Sequence, residues 1–186
     1  MKLTTPRLIL RQPTMKDAKS IVRNINNINI SKWLLVVPFP YTMKDAKWFV
    51  NHVAEKSKER PRKDYFFNIQ LKDQEDLIGC VGLHHLNDKE RNPSLGYWLG
   101  EDYHRQGIMR EAANRVLDYG FNDLHLRKIE IPVFATNIPS ATLAQRLGGR
   151  YMGMNHKLQT CRATGKKHKE KKFIVTPASW RRSLRR

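Results

Sequence analysis

YHRQGIMREAANRVLDYGF, residues 103–121, stands directly after SLGYWLGED at 94–102. SLGYWLG reads as a strand. In the following stretch Ile108, Ala112, Val116, Leu117, Gly120 and Phe121 share one helical face. The two are joined by a basic, donor-rich turn: His104, Arg105, Gln106, a single glycine at Gly107, then Ile108 and Met109. A strand, a basic turn and a helix start make an anion site in physical terms. The first amides of a helix lack internal partners, and its dipole favours negative charge there. Arg105, Gln106 and the amides of Gly107 to Met109 are therefore suited to grip a pyrophosphate. The turn is neither a G-x-x-x-x-G-K-[ST] loop nor a G-x-G-x-x-G loop.

Outward from this unit, RLILRQ (7–12) alternates as a first strand. Thr14 opens TMKDAKSIVRNIN, and Asp17 three residues on gives a helix start of capping-box type. The same TMKDAK recurs at 42–47 before WFVNHVAEKSKE. The flanks differ, so two similar helix starts are expected rather than an internal repeat. Residues 64–72 and 76–85 read as consecutive strands, with Gly79 and Gly82 marking a bulge or a close backbone approach in the second. NDKERNP (87–93) reads as a turn. KIEIPVFA (128–135) is a strand that Pro132 places at a bulge or near an edge. Pro139 suits a first helical position after Asn137, and Gly148-Gly149 ends that helix. Residues 150–157 and 172–176 pair as a closing antiparallel unit around the basic segment 162–172. The expected fold is α/β (α+β): a mixed, mostly antiparallel central sheet of about seven strands flanked by about four helices.

With 186 residues, one domain is expected over 1–176, followed by a basic tail over 177–186. Hydrophobic residues at 40% permit a packed core, which excludes disorder by composition. Lys+Arg number 35 against 17 Asp+Glu, a formal charge of +18. That balance draws polyanions such as nucleic acid, ribosome, an anionic membrane or a phosphate-rich cofactor, although a well-solvated basic surface also produces it. Cys80 and Cys161 are far apart and form no CxxC, which suits a reducing compartment. His156, Cys161 and His168 are too scattered for a metal site, so none is expected. MKLTTPRLIL lacks the apolar stretch of a signal peptide, and no run approaches the roughly 20 apolar residues of a membrane span. The expectation is a cytoplasmic protein, monomer or homodimer, with no membrane partner.

TPRLILRQPTMKDA, LIGCVGLHHL, LGYWLGEDYHRQGIMREA and ATNIPSATLAQRLG, in this order and spacing, resemble the GNAT superfamily of N-acetyltransferases. Thr5 to Arg11 and Gly96 to Leu99 are similar to its RimJ/RimL branch, which includes ribosomal-protein N-terminal acetyltransferases. The resemblance covers about residues 4–176. It implies an acyltransferase that moves acetyl from acetyl-CoA to a primary amine by direct attack in a ternary complex. The acceptor it implies is a protein N-terminal α-amine.

The family's Q/R-x-x-G-x-G/A loop would be His104, Arg105, Gln106, Gly107, Ile108 and Met109. His104 stands where Arg or Gln is usual. Met109 stands where Gly or Ala is usual, and a side chain there could crowd the phosphates. Tyr97, Trp98 and Leu99 would line the pantetheine arm, and the Tyr97 and Leu99 backbones would pair with it. Asn137 would contact the cofactor arm, and the Ser140 hydroxyl would protonate the departing thiolate. Tyr97 and Ser140 are thus the catalytic candidates. Asn, Ser and Pro at a helix start also serve capping alone.

No general base is legible. Relatives carry a Glu near the start of the GYWL strand, where Pro93 and Ser94 stand here. His84 and His85 end the preceding strand, and strand alternation lets at most one of them face a given site. An α-amine titrating at about 7.7–8.0 needs less help than a lysine near 10.4. Two other readings fit the same residues: a small-molecule amine acetyltransferase acting on an amino acid or antibiotic, and a non-catalytic CoA- or RNA-binding module. Trp180 among the arginines of the tail could touch RNA or ribosome, or the tail could be a solvated basic end.

Overall fold

Both TMKDAK segments start helices for the same physical reason. In each, the Asp carboxylate accepts the Thr N–H and the Thr hydroxyl one turn back. Thr42 with Asp45 opens a long helix at once. Thr14 with Asp17 opens a 3₁₀ turn over Met15–Asp17 and only then an α-helix. Asp17 also ties this helix start to the neighbouring strand, because Arg11 Nη2 meets its Oδ1 at 2.8 Å.

The structure is a computed structural model describing residues 1–86 and 92–185. Its strands and helices run β1 (Lys2–Thr4), β2 (Leu8–Arg11), α1 (Ala18–Ile25), α2 (Ile28–Ser31), α3 (Met43–Lys58), β3 (Tyr65–Leu71), β4 (Leu77–His84) and β5 (Ser94–Leu99). After a 3₁₀ turn at Glu101–Tyr103 come α4 (Ile108–Asp118), extended by a π-helical turn at Tyr119–Asp123, then β6 (Ile129–Phe134) and α5 (Ile138–Arg146). The chain closes with β7 (Arg150–Met154), β8 (Gln159–Thr160), β9 (Lys167–His168), β10 (Glu170–Val175) and α6 (Pro177–Ser183). The turn expected over 87–93 lies largely outside the described residues.

Eight strands form one sheet in the order β1-β2-β3-β4-β5-β6-β10-β7, and β8 pairs with β9 as a separate hairpin. Among the described residues, β5 and β6 alone pair in parallel, joined by the α4 crossover that a parallel pair requires. The eighth strand is β1, three residues added to the edge of β2. α2 and α6 add to the four expected helices. All three additions are too short to leave a periodicity in the sequence.

The sheet is covered on both faces. Ile21 and Ile25 of α1 and Val50 of α3 pack on one face with Leu77 and Trp98. Ile108, Ala112, Val116 and Leu117 of α4 pack on the other with Leu95, Leu99 and Ile131, joined by Ala141 and Ala144 of α5.

The segment expected to be a basic tail is instead docked. Trp180 on α6 is buried, its Nε1 donates to Asn114 Oδ1 at 3.1 Å, and its ring lies 5.7 Å from Phe121. Its indole fills the groove beside α4 and is not offered for stacking on bases. Segment 162–172 is likewise built in: Arg162 N–H bonds the Leu35 carbonyl at 3.0 Å, and the Cys161 thiol points to the Ser31 carbonyl at 3.6 Å.

Candidate active site

The site begins with a missing hydrogen bond. β5 and β6 share one registered pair, Ser94↔Glu130, where the Glu130 N–H donates to the Pro93 carbonyl at 2.8 Å. Backbone groups alternate in direction along a strand, so position 132 also faces β5. Proline there has no N–H to give. β6 thus lies inside the sheet order, yet Pro132 faces a gap, which explains a proline in this strand.

The same alternation decides β5. Gly100 N–H bonds the Ile78 carbonyl at 2.8 Å, so the even-numbered residues serve β4. The odd-numbered Tyr97 and Leu99 turn their N–H and C=O toward the gap. The Leu99 carbonyl already has a partner, His104 Nε2 at 2.9 Å. Tyr97 keeps both groups for a ligand. Trp98 departs from the expectation: its backbone faces β4 and its indole packs with the α1/α3 cluster, on the opposite face from Tyr97.

Beyond β5 the turn is left-handed at Arg105 (φ 61°) and at Gly107 (φ 74°), the N-cap of α4. A β-carbon at Gly107 would meet only Arg7 Nη2, at 3.6 Å. The turn is pinned from the first strands. Arg7 Nη1 donates to the Gln106 carbonyl at 3.1 Å, and Arg7 Nε meets Glu111 Oε2 at 2.6 Å. Glu111 Oε1 accepts from the Thr5 hydroxyl at 2.6 Å and the Arg7 N–H at 3.0 Å. Burial works against that carboxylate, but Thr5 and Arg7 outweigh it and hold the group below its ordinary range. Arg7 and Glu111 were not singled out by sequence. Their signal was the Thr5-Pro6-Arg7 motif, whose role only the fold reveals.

Ile108 and Met109 turn their side chains into the core, 2% and 9% exposed. Met109 therefore does not crowd the turn. At this position α4 aims its side chain at the sheet and its unpaired N–H outward. Met109→Ala is expected to lower stability by about 2 kcal/mol through a cavity, read by urea unfolding, with acetyl-CoA affinity changed less than twofold in calorimetry.

Across the gap, α5 starts at Asn137, whose side chain accepts the Ser140 N–H at 3.2 Å. Capping is therefore a role of Asn137 here. It leaves the Ser140 hydroxyl free to meet the Tyr97 hydroxyl at 2.8 Å. Burial pushes the Tyr97 phenol up to about 12, so it keeps its proton.

On the α1/α3 face, a cavity of about 470 Å³ lies where β5 and β6 part, lined by Ser94, Glu130 and Pro132. His85 also lines it, because φ 60° at the end of β4 takes that residue out of strand alternation.

A family model described as "Acetyltransferase (GNAT) domain" matches residues 7–150. The chain belongs to the GNAT acetyltransferase family. The uncharacterized N-acetyltransferase YoaA of Bacillus subtilis is 30% identical over 82% of this chain and 84% of its own. A solved structure of a putative ribosomal-protein-serine acetyltransferase from Vibrio cholerae is 26% identical, with TM-score 0.79 over 95% of this chain and 98% of that one. A spermidine N(1)-acetyltransferase of Vibrio cholerae is 26% identical over 76% of this chain and 78% of its own.

This GNAT acetyltransferase is thus an acetyl-CoA-dependent enzyme, and its residues fit that cosubstrate. The unpaired Tyr97 backbone suits the amides of a pantetheine arm. The open space around Gly107 and the outward amides of Gly107, Ile108 and Met109 suit a pyrophosphate. Arg105 and Gln106 stand at the same turn, both exposed. Gln106 is held by its own side-chain bond to the Asp102 carbonyl at 2.9 Å. Among the described residues no group of three or more metal-ligating side chains occurs.

Proposed function

We propose that this N-acetyltransferase acts on the α-amine of a polypeptide N-terminus, of ribosomal-protein type. The observation that carries this is the lining of the cavity on the α1/α3 face. It offers neutral groups from Asn92, Ser94, Asn155 and Gln159 beside charged groups of both signs. Lys172 Nζ meets Glu130 Oε2 at 3.1 Å, and Lys157 also lines the wall. Burial and the neighbouring Glu130 raise the Glu170 carboxyl above its ordinary range, against the hydrogen bond from Asn155. A peptide terminus presents one amine followed by amide donors and acceptors, which this mixture can match. A polyamine presents cations without amide groups, so it would leave the neutral donors and acceptors unused and would meet Lys157 and Lys172 as well as Glu130 and Glu170. The relation to a ribosomal-protein-serine acetyltransferase supports the same reading. So does the charge of +18, which draws the enzyme to ribosomal RNA.

In this reading the amine enters from the α1/α3 face. The gap-facing amides of Tyr97 and Leu99 polarise the acetyl carbonyl, and the Ser140–Tyr97 hydroxyl pair supplies the proton to the thiolate from the α4/α5 face. CoA release measured with ribosomal-type N-terminal peptides is expected to exceed that with spermidine or free amino acids by about 100-fold in kcat/KM. Turnover of small amines alone would overturn it.

A further inference from the structure

Gly82 and Gly96 face each other across β4 and β5, and one side chain lies over both. A β-carbon at Gly82 would stand 2.9 Å from His84 Nε2, and one at Gly96 would stand 3.3 Å from it. The two glycines make a floor against which the Nε2 edge of the His84 imidazole rests, beside β5, the wall of the gap. The ring is fixed from three sides. Asp64 Oδ1 lies 3.2 Å from Nδ1, Phe66 packs edge-on at 4.9 Å, and the His85 ring is 6.4 Å away. His84 shares its face with Trp98 and the amine cavity, opposite the Ser140–Tyr97 pair.

In the neutral ring, a carboxylate partner at Nδ1 places the proton on that nitrogen and leaves the lone pair on Nε2. Nε2 has no hydrogen-bond partner among the described residues, and the side chain is 24% exposed. We propose that His84 is the general base that takes the proton from the acceptor amine, with Asp64 as the residue that positions it. This rests on the acyl-transfer reading of the gap and on no particular acceptor. The amine nitrogen forms the bond to the acetyl carbonyl carbon, and its proton passes to His84 Nε2. The C–S bond breaks with its electron pair on sulfur, which takes a proton from the Ser140–Tyr97 pair. Solvent removes the proton from His84 and returns one to the hydroxyls.

Among the described residues, these other charges stand near the dyad. Burial disfavours the Asp64 charge, but His84, the His85 N–H and Lys56 outweigh it and keep the carboxyl below its ordinary range. His52 of α3 reaches this group only through Phe66, at 6.0 Å from that ring. Arg62 Nε bonds the Asp64 carbonyl at 2.8 Å.

The test uses whichever amine the wild-type enzyme turns over, peptide or polyamine, so the acceptor assignment and the base are judged separately. His84→Gln is expected to lower kcat/KM about 100-fold at neutral pH and to move its acid limb to higher pH, with acetyl-CoA affinity within twofold. The deficit shrinks at high pH, where the amine is neutral unaided. Asp64→Asn is expected to give a smaller loss and a displaced acid limb. His84→Ala is expected to recover activity with added imidazole, which a structural role would not allow. A His84→Gln enzyme that binds acetyl-CoA normally and keeps the wild-type pH profile and rate would overturn the proposal.

Discussion

Ser140→Ala is expected to lower kcat by about 100-fold while leaving the start of α5 intact. The two roles of this residue are separable because they use different atoms. The Asn137 cap engages the Ser140 N–H, whereas Tyr97 engages its hydroxyl at 2.8 Å. Alanine keeps the first and deletes the second. Tyr97→Phe is expected to produce a similar loss, since the phenol, pushed up to about 12, stays protonated and orients the serine hydroxyl. The double substitution is then expected to cost little more than either single one, because in the proposed mechanism the two hydroxyls form one proton path. Single-turnover acetyl transfer with calorimetric acetyl-CoA binding measures this. Additive losses, or a loss that tracks acetyl-CoA affinity, would show two independent roles and no shared path.

Gly148→Ala is expected to cost about 3 kcal/mol of stability. Gly148 closes α5 at φ +86°, and a β-carbon there would stand 2.5 Å from the Ser179 carbonyl oxygen and 3.0 Å from the Trp180 nitrogen. Both neighbours are backbone of α6, which the buried Trp180 holds in place. Neither partner can yield by a rotamer change. Gly165 provides the control, with φ +67° and nothing within 4 Å of a β-carbon. Gly165→Ala therefore carries the conformational term alone, about 1 kcal/mol. Urea unfolding midpoints for the two variants measure the difference. Equal losses would mean that contact with α6 contributes nothing.

Pattern along the chain was enough for the elements that repeat their pattern. α4 was legible because its apolar face recurs through four turns, and both TMKDAK starts because a capping box is complete within four residues. The strand–turn–helix at 94–121 pointed to an anion site, and the order of four motifs pointed to the family. Local sequence also gave the Gly107 turn and the Gly148-Gly149 helix stop, since each answers a demand of the backbone within its own neighbourhood.

The tertiary structure decided what depends on direction and on distant partners. It turned Met109 into the core and Trp98 to the far face, because a residue's direction is set by the register of its element against its neighbours. Pro132 became the proline of an interior strand that borders a gap, which requires knowing that β5 stands on that side. Arg7 and Glu111, 104 residues apart, form one clamp on the turn. The His84 ring rests on Gly82 and Gly96 with Asp64 at its back. The sequence supplied each of these side chains. Only chain folding over long separations brought them within reach, and no periodicity or spacing encodes such a contact.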